Sequence, residues 1–104
     1  MGNGTYKYDL EMSTPLGKRR GNLELTVEKN SLNGFLTMFT RTIPIKEGKV
    51  CGSSITFSGT MQTLMSTLLY YAQGSISNSV MQMEFNTDHG HFPASGILVE
   101  MRKG

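Results

Sequence analysis

Apolar and polar residues alternate with a period of two along most of this chain. The alternation is clearest over residues 6–13, 23–28, 54–61, 81–86 and 97–102. Successive side chains of a β-strand point to opposite faces of a sheet, so each of these segments is predicted to be a strand with one buried and one solvated face. Such strands are typical of antiparallel sheets, and the pattern therefore indicates an all-β protein.

Short turn signals separate the predicted strands. In Thr14-Pro15-Leu16-Gly17 the proline fixes φ for a β-turn and the glycine tolerates a positive φ. Shorter polar turns are predicted at Lys29-Asn30-Ser31, Glu47-Gly48-Lys49, Ser77-Asn78-Ser79 and Asp88-His89-Gly90. The best helical candidate, residues 62–72, lacks a helical stripe and is interpreted as a turn followed by a strand. Together these signals predict about eight antiparallel strands.

The two halves of the chain echo each other at an offset of 48 or 49 residues. The matched pairs are Thr14 with Thr63, Asn30-Ser31-Leu32 with Asn78-Ser79-Val80, and Ile43-Pro44 with Phe92-Pro93. This similarity predicts a four-stranded meander used twice, over about residues 6–52 and 54–103, within one domain that covers residues 1–104.

Glycines inside the predicted strands indicate that the sheet is kinked. An interior glycine weakens a strand and usually marks a bulge or bend, and repeated bends allow a sheet to curl and close. The glycines in question are Gly34, Gly59, Gly74 and Gly96. The predicted architecture is a small, closed or partly open, lipocalin-like barrel, with a two-layer sandwich as the alternative.

Three short motifs connect the chain to other small proteins. They are Thr14-Pro15-Leu16-Gly17, Leu32-Asn33-Gly34 and Phe57-Ser58-Gly59. With them the chain resembles a loose group of mostly bacterial all-β proteins of unknown function, in which Thr-Pro-x-Gly hairpins recur. The second half departs from the pattern, because Thr63-Leu64-Met65-Ser66 has neither proline nor glycine. The resemblance spans most of the chain and implies the fold class but no function.

Composition narrows the classes of function. The 104 residues suit one domain, and a single cysteine excludes both an intrachain disulfide and a cysteine-based metal cluster. The longest apolar run, residues 68–72, is far shorter than the roughly 20 residues of a membrane helix, and no leader is visible at the start. We therefore expect a cytoplasmic protein with no membrane partner, with a trimmed leader as the alternative.

Few residues are candidates for chemistry. His89 and His91 would share one face of a strand and could hold a metal, or they belong to a polar turn. Cys51 would be a nucleophile if a histidine came near it, or a small buried apolar residue. The basic run Lys18-Arg19-Arg20 could contact phosphate or simply be solvated. We expect no enzyme activity, no cofactor and no nucleic-acid partner.

The segment from Val50 to Met83 contains no charged residue. Its second strand is apolar on both faces, which is typical of a strand covered on both sides. Interfaces between identical subunits are depleted in charge and enriched in tyrosine and methionine, so we expect a homo-oligomer, most simply a dimer. The predicted contact residues are Thr56, Ser58, Leu69 and Tyr71; the alternative is an uncharged solvent face.

Eight methionines and several aromatic residues are placed to fill a barrel interior. An eight-stranded barrel either packs its interior with side chains or holds one small ligand. The leading hypothesis is a non-enzymatic binding module for a small apolar ligand, contacted by Tyr6, Tyr8, Phe57, Tyr70 and Met83. The alternative is a structural or assembly protein that acts through its charge-free surface, with a filled core.

Overall fold

The computed structural model describes residues 1–63 and 65–104. Within them the chain forms nine β-strands and no helix. The strands are β1 (Gly4–Thr14), β2 (Gly17–Glu28), β3 (Ser31–Met38), β4 (Arg41–Pro44), β5 (Lys46–Cys51), β6 (Ser54–Gln62), β7 (Thr67–Ser77), β8 (Val80–Thr87) and β9 (Gly90–Lys103).

The strands close into an up-and-down barrel in which each strand pairs antiparallel with the next one along the chain, with the exception of the pair β4 and β5. The circle is completed by β1, which pairs with β9 on one side and with β2 on the other. β4 and β5 both pair with β3 and act as one bent strand, so the wall has eight positions. The all-β, antiparallel prediction is confirmed, and the architecture is the closed barrel rather than the sandwich.

The alternation in the sequence determines which side chains enter the barrel. In β1, Leu10 and Met12 are buried whereas Asp9 between Tyr8 and Leu10 is exposed. Twenty-two apolar residues form one buried core, and no polar or charged residue among the described ones is buried. Burial of apolar surface is the main favourable term in folding, so this single core holds the barrel together.

Close approach between β2 and β3 explains why one of the glycines inside the predicted strands, Gly34, has to be glycine. Gly34 lies in β3 opposite Leu25 of β2, with φ of 150°. A Cβ at this position would overlap the backbone carbonyl of Glu24. Only glycine allows β2 and β3 to pair here. The wall bends between β4 and β5, where the Ile45 amide donates to the Gly34 carbonyl over 2.9 Å.

The up-and-down order places four connections at one end of the barrel, which we call the turn end. They join β1 to β2, β3 to β4, β6 to β7 and β8 to β9. The other three hairpin connections and both chain ends lie at the opposite, terminal end.

Three connections of the turn end are built on a threonine. The Thr14, Thr63 and Thr87 hydroxyls donate to the carbonyls of Gly17, Ser66 and Gly90 over 2.6, 3.0 and 2.9 Å. Each hydroxyl also accepts a backbone N–H from the residue two positions later, an arrangement that stabilises tight turns. Leu64, in the second of these turns, lies outside the described residues. The internal repeat remains a prediction.

Candidate functional sites in the barrel and on its wall

The barrel interior brings together most of the predicted ligand residues. Tyr8, Phe57, Tyr70 and Met83 are all buried in the core. Tyr6 is half-buried and packs against the core, and its hydroxyl donates to the Gly2 carbonyl over 2.6 Å. The sequence pattern therefore placed four of the five side chains inside the barrel and the fifth at its margin.

Aromatic rings pack against each other in the interior. The centroid of the Phe57 ring lies 6.0 Å from that of Tyr70 and 6.1 Å from that of Phe85, both edge to face, and Tyr70 and Phe85 are 5.2 Å apart. Such ring pairs add about 0.5–1.5 kcal/mol beyond the burial of their surface. A cleft of about 510 Å³ opens on the outer wall beside Glu11 and Arg20. In this structure the three rings fill space that a ligand would occupy.

Burial raises the pKa of two core tyrosines. Desolvation shifts the Tyr70 pKa upward, and desolvation with a smaller contribution from Tyr6 raises that of Tyr8 above the ordinary value of 10.0. An apolar surrounding disfavours the phenolate, so both hydroxyls are held protonated in the folded protein.

This shift predicts a loss of stability at high pH. In the unfolded chain Tyr70 ionises near its ordinary pKa of 10.0, whereas in the folded barrel it keeps its proton to higher pH. The protonated Tyr70 side chain therefore contributes fully to the free energy of unfolding below pH 10. As the pH rises above that value, this free energy falls by about 1.4 kcal/mol per pH unit. Urea unfolding at increasing pH should show this decline, and Tyr70→Phe should make it shallower.

The matched control for that measurement is Tyr71→Phe. Tyr71 is the next residue along β7 and lies half-exposed on the outer wall. At a protein concentration low enough to keep the chain monomeric, this variant removes a hydroxyl from the outer wall rather than from the core, so it should reproduce the pH dependence of the wild-type protein. Equal pH profiles for Tyr70→Phe and the wild type would contradict the role assigned to Tyr70.

The four predicted interface residues form, together with Thr60, one continuous area on the outer wall, which we call the β6–β7 patch (Thr56, Ser58, Thr60, Leu69, Tyr71). Ser58 lies opposite Tyr71 and Thr60 lies opposite Leu69 across the paired strands. The Leu69 side chain is 67% exposed and Tyr71 is 50% exposed. The pattern in the sequence was therefore sufficient to bring all four predicted contact residues to one surface.

Charged residues from the neighbouring strands border this patch. The Ser58 hydroxyl donates to a Glu47 carboxylate oxygen over 2.9 Å, and Lys46 lies opposite Ser58 in β5. On the other side, Glu84 of β8 lies opposite Gln73. The uncharged sequence of residues 50–83 does not predict this rim, because strand pairing determines which charges lie beside an uncharged strand.

The two histidines have separate surroundings. His89 lies in the β8–β9 turn, with its Nδ1 atom 3.1 Å from an Asp88 carboxylate oxygen. His91 lies on β9 and shares a hydrogen bond with the Asn86 side chain, whose amide also donates to the Tyr71 carbonyl over 3.3 Å. The sequence allowed either a metal site or a polar turn here, and Asp88 and His89 form a polar turn between β8 and β9. Among the described residues, no group of three or more His, Cys, Asp or Glu side chains could hold a metal ion.

Cys51 is exposed, so the expectation of a small buried residue is wrong. Val50 points into the barrel, and the strand period therefore turns Cys51 outward. It lies at the terminal end, whereas His89 and His91 lie towards the turn end. The fold therefore keeps the thiol apart from both imidazoles.

The basic run follows the first turn onto the wall of β2. Lys18 and Arg20 approach the Glu11 carboxylate, with N···O distances of 3.4 and 3.8 Å. Both cationic side chains are largely exposed, and exposed ion pairs of this kind stabilise a fold by about 0–1 kcal/mol. Their positive charge is therefore available at the turn end for other contacts.

In comparisons with known proteins, no family model, no curated protein and no solved structure matches the chain. The resemblance to small bacterial all-β proteins remains a prediction. The described residues also contain no helix with the length and apolarity that crossing a membrane would require.

Proposed function

We propose that this protein is a non-enzymatic assembly module that pairs with a second copy of itself through the β6–β7 patch. One observation carries the proposal: Leu69 and Tyr71 stand 67% and 50% exposed, side by side on one face of β7. Large apolar side chains grouped on a surface are typical of interaction sites.

The composition of the patch fits a protein interface. Its centre is apolar and aromatic, its surroundings on β6 are hydroxyl side chains, and its rim carries Lys46, Glu47 and Glu84. Interfaces have this order of a charge-depleted centre within a polar rim. A two-fold dimer uses the same patch on both copies, so one set of residues is sufficient for the contact.

The proposal predicts that Leu69→Lys abolishes self-association. The substitution would place a charge at the centre of the contact, where it would lose its water without gaining a partner. Sedimentation velocity over a range of concentrations should show a dimer for the wild type and a monomer for the variant. Phe35→Lys is the control, because Phe35 is 47% exposed on β3, which β5 separates from the patch. A monomeric wild type, or a Phe35→Lys variant that dissociates equally, would refute the proposal.

A second candidate is the binding of a small apolar ligand inside a lipocalin-like barrel. Five buried methionines favour it, because methionine side chains are flexible and can repack around a guest. They are Met12, Met38, Met61, Met81 and Met83. Tyr8 and Tyr70 add phenol hydroxyls to this apolar lining, and such groups could bind one polar atom of a ligand.

Native mass spectrometry separates the two candidates. A protein that retains a ligand should show an added mass that disappears after denaturation and refolding. A dimer peak without added mass supports the assembly role. A bare monomer would oppose both candidates.

A further inference from the structure

The two most exposed large apolar side chains in the described residues project from the turn end. Leu16 is 80% exposed and Met65 is 90% exposed. Each follows a turn threonine by two residues and donates its backbone N–H to that threonine hydroxyl, over 3.2 Å in both turns. The turns thus hold both side chains away from the core in the same way.

The barrel order places these two side chains at one end but on opposite sides. Leu16 belongs to the β1–β2 hairpin and Met65 to the β6–β7 hairpin. In the closed circle of eight wall positions these hairpins lie half a turn apart. A flat surface laid against the turn end would therefore meet both side chains at once, whereas a small ligand would not bridge them.

Positive charge surrounds these apolar tips. The turn end carries Lys18, Arg19 and Arg20 at the start of β2 and Arg41 at the start of β4. The acidic residues in the same region are Glu11, shared by Lys18 and Arg20, together with Asp88 and Glu84. Four positive charges against three negative charges leave this end with a net charge of +1, and the four cations lie on β2 and β4.

We propose that the turn end docks onto an anionic lipid bilayer, with Leu16 and Met65 entering the interfacial region. Apolar tips bury surface among the lipid headgroups, and nearby cationic side chains bind the negative surface. A second copy fits this end poorly because two positively charged ends repel each other. A nucleic acid would use the cations but offers nothing for the two apolar tips.

Vesicle co-sedimentation tests the proposal. The probe is a large unilamellar vesicle of phosphatidylcholine with about 30% phosphatidylglycerol, compared with pure phosphatidylcholine vesicles. The wild-type protein should bind the anionic vesicles and be released by salt. The double variant Leu16→Ser/Met65→Ser should bind at least about tenfold more weakly, because each serine removes the burial of one large apolar side chain.

A matched control uses exposed apolar residues elsewhere on the wall. Val80 and Ile97 face each other across β8 and β9 and are 44% and 61% exposed. The variant Val80→Ser/Ile97→Ser should bind the anionic vesicles as the wild type does. Arg19→Gln/Arg41→Gln should lose most binding while keeping both tips. Circular dichroism should confirm that every variant remains folded.

Several results would overturn the proposal. One is a wild-type protein that does not sediment with anionic vesicles, and another is equal binding by the Leu16→Ser/Met65→Ser variant. Equal binding to pure phosphatidylcholine would refute the role of the positive charges. Tight binding to a short DNA duplex that is unchanged by the tip substitutions, without vesicle binding, would assign the turn end to nucleic acid instead. The dimer-breaking variant Leu69→Lys should still bind vesicles, so the two proposals can fail separately.

Discussion

Phe57→Ala should lower the free energy of unfolding by about 3–5 kcal/mol, which is a large fraction of the stability of a small domain. The Phe57 side chain is fully buried and contacts the rings of Tyr70 and Phe85. Removing it leaves a cavity in the middle of the aromatic cluster and deletes two ring contacts. Urea unfolding followed by far-ultraviolet circular dichroism would measure the change.

Phe35→Ala is the matched control for this experiment. It makes the same chemical change on the outer wall of β3, where Phe35 is 47% exposed and lies opposite Glu24 and Pro44. A half-exposed ring loses much less on truncation, so the variant should cost about 1 kcal/mol or less. Equal costs for the two variants would mean that the interior is loosely packed, and would favour the ligand-binding candidate over a filled core.

The sequence was sufficient to predict the strands because their inward positions keep a strict period of two. It did not predict that the fourth wall position is divided into β4 and β5. The division follows from Ile45, a buried residue after Pro44 whose amide bonds to Gly34 of β3. It also did not predict the bulge between β1 and β9, where the register shifts at Lys7 and Tyr8. Both irregularities depend on how two distant strands fit together, which local alternation does not encode.

The residues of the two proposed surfaces could be predicted to different degrees, again because local alternation does not encode how distant strands pair. Leu69 and Tyr71 could be assigned to one outer surface from their parity on β7 alone. The rim charges of Glu47 and Glu84 could not, because they come from strands that pair with the patch. For Leu16 and Met65 the sequence predicts only that they belong to turns. Both side chains lie at the turn end because the strands run alternately up and down around the barrel. The repeated pattern in the two halves of the sequence is consistent with this order but does not determine it.

Barrel closure on the β2–β3 side should depend on Gly34. We expect Gly34→Ala to cost about 3 kcal/mol or more in unfolding free energy, because a methyl group would occupy the position of the Glu24 carbonyl and alanine disfavours φ of 150°. The strands would have to separate near Leu25, which also weakens the bond that Ile45 donates to Gly34. Hydrogen exchange should become faster in β2 and β3 before it does in β7 and β8.

The variant Gly52→Ala separates the two causes of the expected loss of stability in Gly34→Ala, the steric overlap with a neighbouring strand and the unfavourable backbone conformation. Gly52 also has a positive φ, 61°, but no atom lies within 4 Å of the position that a Cβ would take. This variant should therefore cost only about 1 kcal/mol, the ordinary penalty of a left-handed backbone without glycine. If both variants cost the same, the close approach of β2 and β3 would not limit the fold. If Gly34→Ala alone is strongly destabilised, the contact between Gly34 and the Glu24 carbonyl is what the barrel requires in order to close.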